Sequence, residues 1–185
     1  LGVNGAAQSD AANWTFLFDD IEQSVAPAAV STTEPKAIDF EPAGGSYVFG
    51  DFAGGVAKVI DNPQSIGINT SATVGQMQKF AGEVYGGSTL TLKSAVDFAS
   101  GAAFTMKVFS IRAVPVLFKL EVLNVERSAM HAGAGWEVLS FDFTDSTDAG
   151  VTAITLIFDL GVNGAADSDA AGWTFYFDDI LQTTP

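Results

Sequence analysis

Few residues in this chain are equipped for covalent chemistry. There is one histidine, His131, there is no cysteine, and no G-x-S-x-G turn is available to raise a serine. Nucleophilic catalysis therefore lacks its usual nucleophile–base pair. His131 stands in the segment HAGAG, which reads as a surface loop. Carboxylates are plentiful, and two of them at the right separation can hydrolyse a glycosidic bond. Asp97, Glu121, Glu126 and Asp142 are candidates, but acids are so numerous that no pair stands out. The run Asp167-Ser168-Asp169 opens like an EF-hand loop. It lacks the oxygen at the fifth position and the closing Glu, and reads as a polar loop. The chain is read as a non-enzyme.

The elements that must carry these residues are strands. STLTLKSAVDF, AFTMKVFSI, PVLFKLEVL, WEVLSFDF, ITLIFDL and WTFYFDDI are short, rich in Phe, Val, Thr and Leu, and mostly divided by Gly, Ser, Asp or Pro. Strands at this spacing predict an all-β antiparallel sandwich or barrel. The stretch 61–80 reads instead as a long connection with room for one or two helical turns around Val74, Met77 and Gln78. Alternation assigns faces. Phe104, Met106 and Val108 share one side of their strand, opposite Lys107 and Phe109; Val116, Phe118 and Leu120 oppose Leu117, Lys119 and Glu121. Lys107, Phe109, Lys119 and Glu121 are thus expected on one polar face of adjacent strands. Trp173, Phe175, Phe177 and Asp179 share a face in the last strand, and a carboxylate ending an apolar face needs a partner.

Composition bounds the partners. The 185 residues are 48% hydrophobic and include 15 Phe, so one domain with a real core is expected rather than a disordered chain. Eight Lys and Arg stand against 22 Asp and Glu, a formal net charge of −14. Such a surface repels phosphate backbones and anionic lipid, which excludes nucleic acid and membrane as partners. No apolar run approaches the ~20 residues that cross a bilayer. The composition suits a secreted protein.

The chain repeats itself. LGVNGAAQSDAANWTFLFDDIEQ at 1–23 returns at 160–182 as LGVNGAADSDAAGWTFYFDDILQ, with four differences. The expected organisation is a closing strand segment of a preceding repeat at 1–23, a Pro-, Ser- and Ala-rich linker at 24–36, and one β-sandwich module at 37–182. The apolar residues of 1–23 favour docking as an extra N-terminal strand, on the same module or by strand exchange with a neighbouring chain.

NPQSIGINTSATV at 62–74, the pair TMKVFS and VLFKLE, the segment WEVLSFDF and the closing FYFDDI resemble the jelly-roll carbohydrate-binding modules of secreted, often marine, bacterial glycan-degrading enzymes. The resemblance covers 37–182. It implies a two-sheet jelly roll that binds polysaccharide without catalysis and targets a linked enzyme to it, with laminarin-type β-glucan a candidate. It also implies a structural Ca²⁺ where the first and last strands meet, with Asp39, Glu41, Asp178 and Asp179 at the matching positions. Sugar rings present C–H faces to aromatics and hydroxyls to polar side chains. Phe109 with Lys107, Lys119 and Glu121 meets that description, with Tyr85 and Arg112 as further candidates. The alternative is a Ca²⁺-stiffened, adhesin-like surface repeat whose tail strands pair between modules.

Overall fold

The computed structural model describes residues 37–121, 125–146 and 150–184. The segments 1–23 and 24–36, and with them the leftover strand, the linker and any strand exchange, lie outside the described residues.

Eleven strands and two short 3₁₀ turns form the described chain, with no α-helix among them. The strands are β1 Ala37–Ile38, β2 Val48–Phe52, β3 Gly55–Asp61, β4 Thr73–Lys79, β5 Gly87–Thr91, β6 Ala103–Ser110, β7 Val114–Leu120, β8 Val125–His131, β9 Gly135–Asp142, β10 Ala153–Phe158 and β11 Thr174–Thr183. One sheet runs β3-β4-β11-β6-β9, with β1 also on β11; the other runs β2-β5-β10-β7-β8. Every pairing is antiparallel. The chain is a two-sheet jelly-roll sandwich.

The core follows from period-two patterning. Phe104, Met106 and Val108 of β6 and Phe175 and Phe177 of β11 point in from one sheet; Val116, Phe118 and Leu120 of β7 and Ile154, Leu156 and Phe158 of β10 meet them from the other. Aromatic rings join the layers: Phe118 stacks on Phe104 at 5.2 Å, and Phe158 stacks on Phe175 at 5.0 Å. Burying each such ring stabilises the fold by roughly 1.5–3 kcal/mol.

The stretch expected to turn helically is instead strand β4 from Thr73 onward. It is flanked by β3 and β11, so both edges of its backbone find ladder partners. Gly75 lets it lie against β11, since a Cβ there would sit 2.5 Å from the Phe177 ring.

Strands β6 and β7 are consecutive but belong to opposite sheets, joined by the short turn 111–113. The polar faces of Lys107–Phe109 and Lys119–Glu121 therefore look away from each other across the sandwich. His131 also departs from expectation: it is fully buried at the end of β8. Its Nδ1 accepts the Gly133 N–H at 2.9 Å, and its Nε2 lies 2.9 Å from the Gly135 carbonyl and 3.1 Å from that of Val108. The ring ties the end of β8 in one sheet to β6 and β9 in the other.

Candidate functional site

The outer face of the β3-β4-β11-β6-β9 sheet carries an in-register row. Lys58 pairs with Gln76, Gln76 with Tyr176, Tyr176 with Phe109, and Phe109 with Trp136. Neighbouring strands lie about 4.8 Å apart, so the row crosses five strands over roughly 19 Å. Side chains one period along, Gln78 and Thr174, extend the face.

Over this row lies an open cleft of ≈ 380 Å³. Its floor is Gln76 and Gln78 from β4, Thr174 and Tyr176 from β11, and Phe109 from β6. Gln64, Ile111, Ala170 and Ala171 form the rims. None of these nine side chains is charged, although the chain as a whole is strongly acidic. Phe109 is mostly covered, at 8% exposure, because Trp136 meets it edge-on at 5.6 Å and Tyr176 leans on it at 5.7 Å. Tyr176 is the half-exposed aromatic at the centre.

Two loops make the cleft's walls. The 62–72 loop crosses the face, and the Trp136 indole Nε1 donates to the Gln64 carbonyl at 2.7 Å. It is pinned below by Asp178, whose Oδ2 accepts the Asn69 amide at 2.8 Å. The opposite wall is the loop between β10 and β11. Arg112 fastens it: Nη2 pairs with Asp159 at 2.6 Å, Nε donates to the Gly172 carbonyl at 2.7 Å, and the guanidinium lies 4.7 Å from the Trp173 ring centre. Lys79, with no exposed surface, donates to the carbonyls of Val84, Phe158 and Asp159 at 3.0, 3.0 and 2.7 Å. Burial pushes its ammonium below the usual lysine range, against the pull of the Asp159 charge.

Of the expected sugar-binding residues, only Phe109 lines the cleft. Lys107 lies one period along the same face and pairs with Asp179 at 2.6 Å. Arg112 supports a wall. Lys119 and Glu121 pair at 3.3 Å on the opposite sheet, where Glu121 also accepts from Thr155. Tyr85 is half exposed in the turn between β4 and β5. Gln76, Gln78, Tyr176 and Trp136 were not among the expected residues. Alternation in TVGQMQK and WTFYF carried the signal for the first three, hidden in β4 by the helical reading.

The four acids expected to hold Ca²⁺ split three to one. At Asp179 the backbone turns to φ 44°, and the β11–β6 register slips between Asp178 and Leu181. This bulge undoes the alternation that would aim Asp179 inward. Asp178 is the buried member. Burial pushes its carboxyl up to about 6, against hydrogen bonds from Ser71, the Asp179 N–H and Asn69 that pull it down. Asp39 accepts the Tyr47 hydroxyl at 3.0 Å, and Glu41 accepts the N–H groups of Ala72 and Thr73 at 2.7 and 3.2 Å. Burial first, then Asp39, Glu41 and Asp178, raise the Tyr47 hydroxyl far above its ordinary value. Asp39, Glu41 and Asp178 are hard oxygen donors around one phenol, a donor set that suits Ca²⁺. They are neighbours rather than a closed cage: among the described residues no three acids or histidines group as metal ligands.

No protein-family model matches the chain, and no curated protein matches it. Solved structures do resemble it. A family 11 carbohydrate-binding module of the cellulosomal cellulase Lic26A-Cel5E of Clostridium thermocellum is similar over 84% of this chain and 98% of its own, at 12% identity and a TM-score of 0.48. That structure is a carbohydrate-binding module, and so are two others that the chain resembles. The CBM22-2 xylan-binding domain of Paenibacillus barcinonensis Xyn10C is similar over 80% and 98%, at 13% identity and a TM-score of 0.44. TmCBM61, solved with β-1,4-galactotriose, is similar over 80% and 91%, at 14% identity and a TM-score of 0.45. Among the described residues no helix is long and apolar enough to cross a membrane.

Proposed function

We propose that this chain is a non-catalytic, secreted module that binds a neutral polysaccharide in the β4-β11-β6 cleft and holds a linked enzyme on that substrate. One observation carries the reading: a cleft without a charged side chain, floored by two aromatics, two glutamines and a threonine, on the face of an otherwise acidic protein. The Tyr176 ring offers a surface for the C–H face of a sugar. Gln76 and Gln78 offer both amide donors and carbonyl acceptors, the pairing that a hydroxyl needs. The cleft is open, and it crosses the strands, so an internal stretch of a chain can lie in it. Laminarin-type β-glucan is the first ligand to test. A structural Ca²⁺ held by Asp39, Glu41 and Asp178 belongs to the same proposal; it would brace the 69–73 segment and take no part in sugar chemistry.

Affinity electrophoresis against laminarin, mixed-linkage glucan, xylan and galactan tests the reading, with Gln76→Ala and Trp136→Ala beside the parent chain. Retardation by at least one neutral glycan, weakened roughly tenfold in Gln76→Ala, is expected, since a lost hydrogen bond and its unpaired partner cost about 1–2 kcal/mol. A parent chain that none of these glycans retards would overturn it.

A further inference from the structure

The repeat shows where the cleft varies. The copies at 1–23 and 160–182 differ at four positions: Gln8 against Asp167, Asn13 against Gly172, Leu17 against Tyr176, and Glu22 against Leu181. In the described copy these positions divide cleanly. Asp167 and Leu181 are exposed and do not line the cleft. Tyr176 lies at the centre of its floor, beside Gln76 on one side and Phe109 on the other. Gly172 is buried behind the Ala170–Ala171 wall. A Cβ there would stand 2.7 Å from the Asp169 carboxylate that receives the Gly172 N–H, so an asparagine must displace that contact.

By contrast, the positions that form the core and the bulge in the described copy carry the same residues in both copies of the sequence. Trp173, Phe175, Phe177, Asp178, Asp179 and Ile180 all recur. The strand's inward face and its bulge residues are kept while its ligand-side aromatic changes. Leucine keeps the apolar character but has neither a flat ring for a sugar face nor a hydroxyl to bond one.

We propose that Tyr176 is the specificity-determining residue of the cleft, and that a cleft carrying leucine at this position, the residue that the 1–23 copy of the sequence has there, prefers a different glycan. The inference rests on the glycan-binding reading above and adds to it the residue that selects the ligand. Tandem modules with unlike clefts engage two features of one mixed polysaccharide, which raises avidity only where both features occur.

The experiment grafts one copy's residues onto the other within this chain. Four proteins are compared on neutral β-glucans, xylan, mannan and galactan by affinity electrophoresis: the parent, Tyr176→Leu, Gly172→Asn/Tyr176→Leu, and the off-cleft pair Asp167→Gln/Leu181→Glu. Thermal unfolding confirms that each is folded; if Tyr176→Leu is not, Tyr176→Thr, a residue suited to a strand, replaces it. The expected result is an approximately tenfold or greater loss for the parent's best ligand in both Tyr176 variants, with a changed order of preference. The off-cleft pair is expected to match the parent. A folded Tyr176 variant that keeps the parent's profile within about twofold overturns this inference and leaves the function standing. A parent that binds none of the glycans overturns both.

Discussion

Asp178 shows how much one residue's surroundings can depart from what its neighbours in sequence suggest. Alternation pointed to Asp179 as the inward acid, but the bulge turns it out beside Lys107, and the acid that is fully buried is Asp178, covered on the outer face by the 62–72 loop. A bulge is set by the pairing of β11 with β6 and by the arrival of β1 at Ile180 and Leu181, neither of which is local. The consequence is a pH dependence of definite sign. The folded carboxyl titrates near 6 and the ordinary value is 3.8, so between these the folded state holds more protons than the unfolded one. Stability contributed by this group therefore falls as pH rises from about 4 to 6 and is level above that window. Urea midpoints for the parent and Asp178→Asn, measured in chelator at pH 4, 5, 6 and 7, should separate in slope over this range. Calcium at pH 7 should raise the parent's midpoint, because the proposed ion would take the ionised carboxylate as a ligand, and leave the variant's almost unchanged. Equal slopes would remove the titration argument, and a parent indifferent to calcium would remove the ion.

At the scale of elements, the strands that alternate cleanly were legible, and the contents of the core followed. Phe104, Met106 and Val108, and Val116, Phe118 and Leu120, point inward as their spacing requires. Strand β4 was not legible. Its alternation of Gly75, Met77 and Lys79 against Gln76 and Gln78 puts a lysine on the inward side, which pattern reading takes as polar. The lysine is inward because its acceptors are carbonyls from remote segments at Val84, Phe158 and Asp159. Its own carbonyl takes the Ala166 N–H of the wall loop. Lys79→Met keeps the length of the side chain and leaves three carbonyls without this donor. The expected loss is about 3 kcal/mol, as for a buried hydrogen-bonding partner removed from several acceptors. Glycan affinity should also fall, because the loop bearing Ala170 and Ala171 loses its anchor. Chemical denaturation at the parent's stability would show that Lys79 is not the fastening it is taken for here.

For the whole molecule, in and out could be read from sequence but sheet membership could not. Strands β6 and β7 are separated by only three residues, yet the turn at 111–113 passes between layers instead of closing a hairpin. That one crossing puts the Lys119–Glu121 pair on the far side of the sandwich from Phe109 and gathers the cleft from β4, β11 and β6. The distribution of charge then yields a test that involves no substitution. A net charge of −14 is spread over the chain, while the cleft is lined by uncharged side chains. Contacts between hydroxyls, amides and an aromatic ring are not screened by mobile ions, whereas steering and binding through exposed charges weaken once the Debye length falls to about 3 Å near 1 M salt. Affinity for a neutral glycan should therefore change by less than about twofold between 50 mM and 1 M sodium chloride, measured by isothermal titration calorimetry at fixed pH. The same acidic surface should repel sulfated or uronic-acid-rich chains at low salt and tolerate them better at high salt. A neutral-glycan affinity that drops steeply with salt would mean that charged residues outside the cleft make the contact, and the binding face would have to be sought elsewhere on the sandwich.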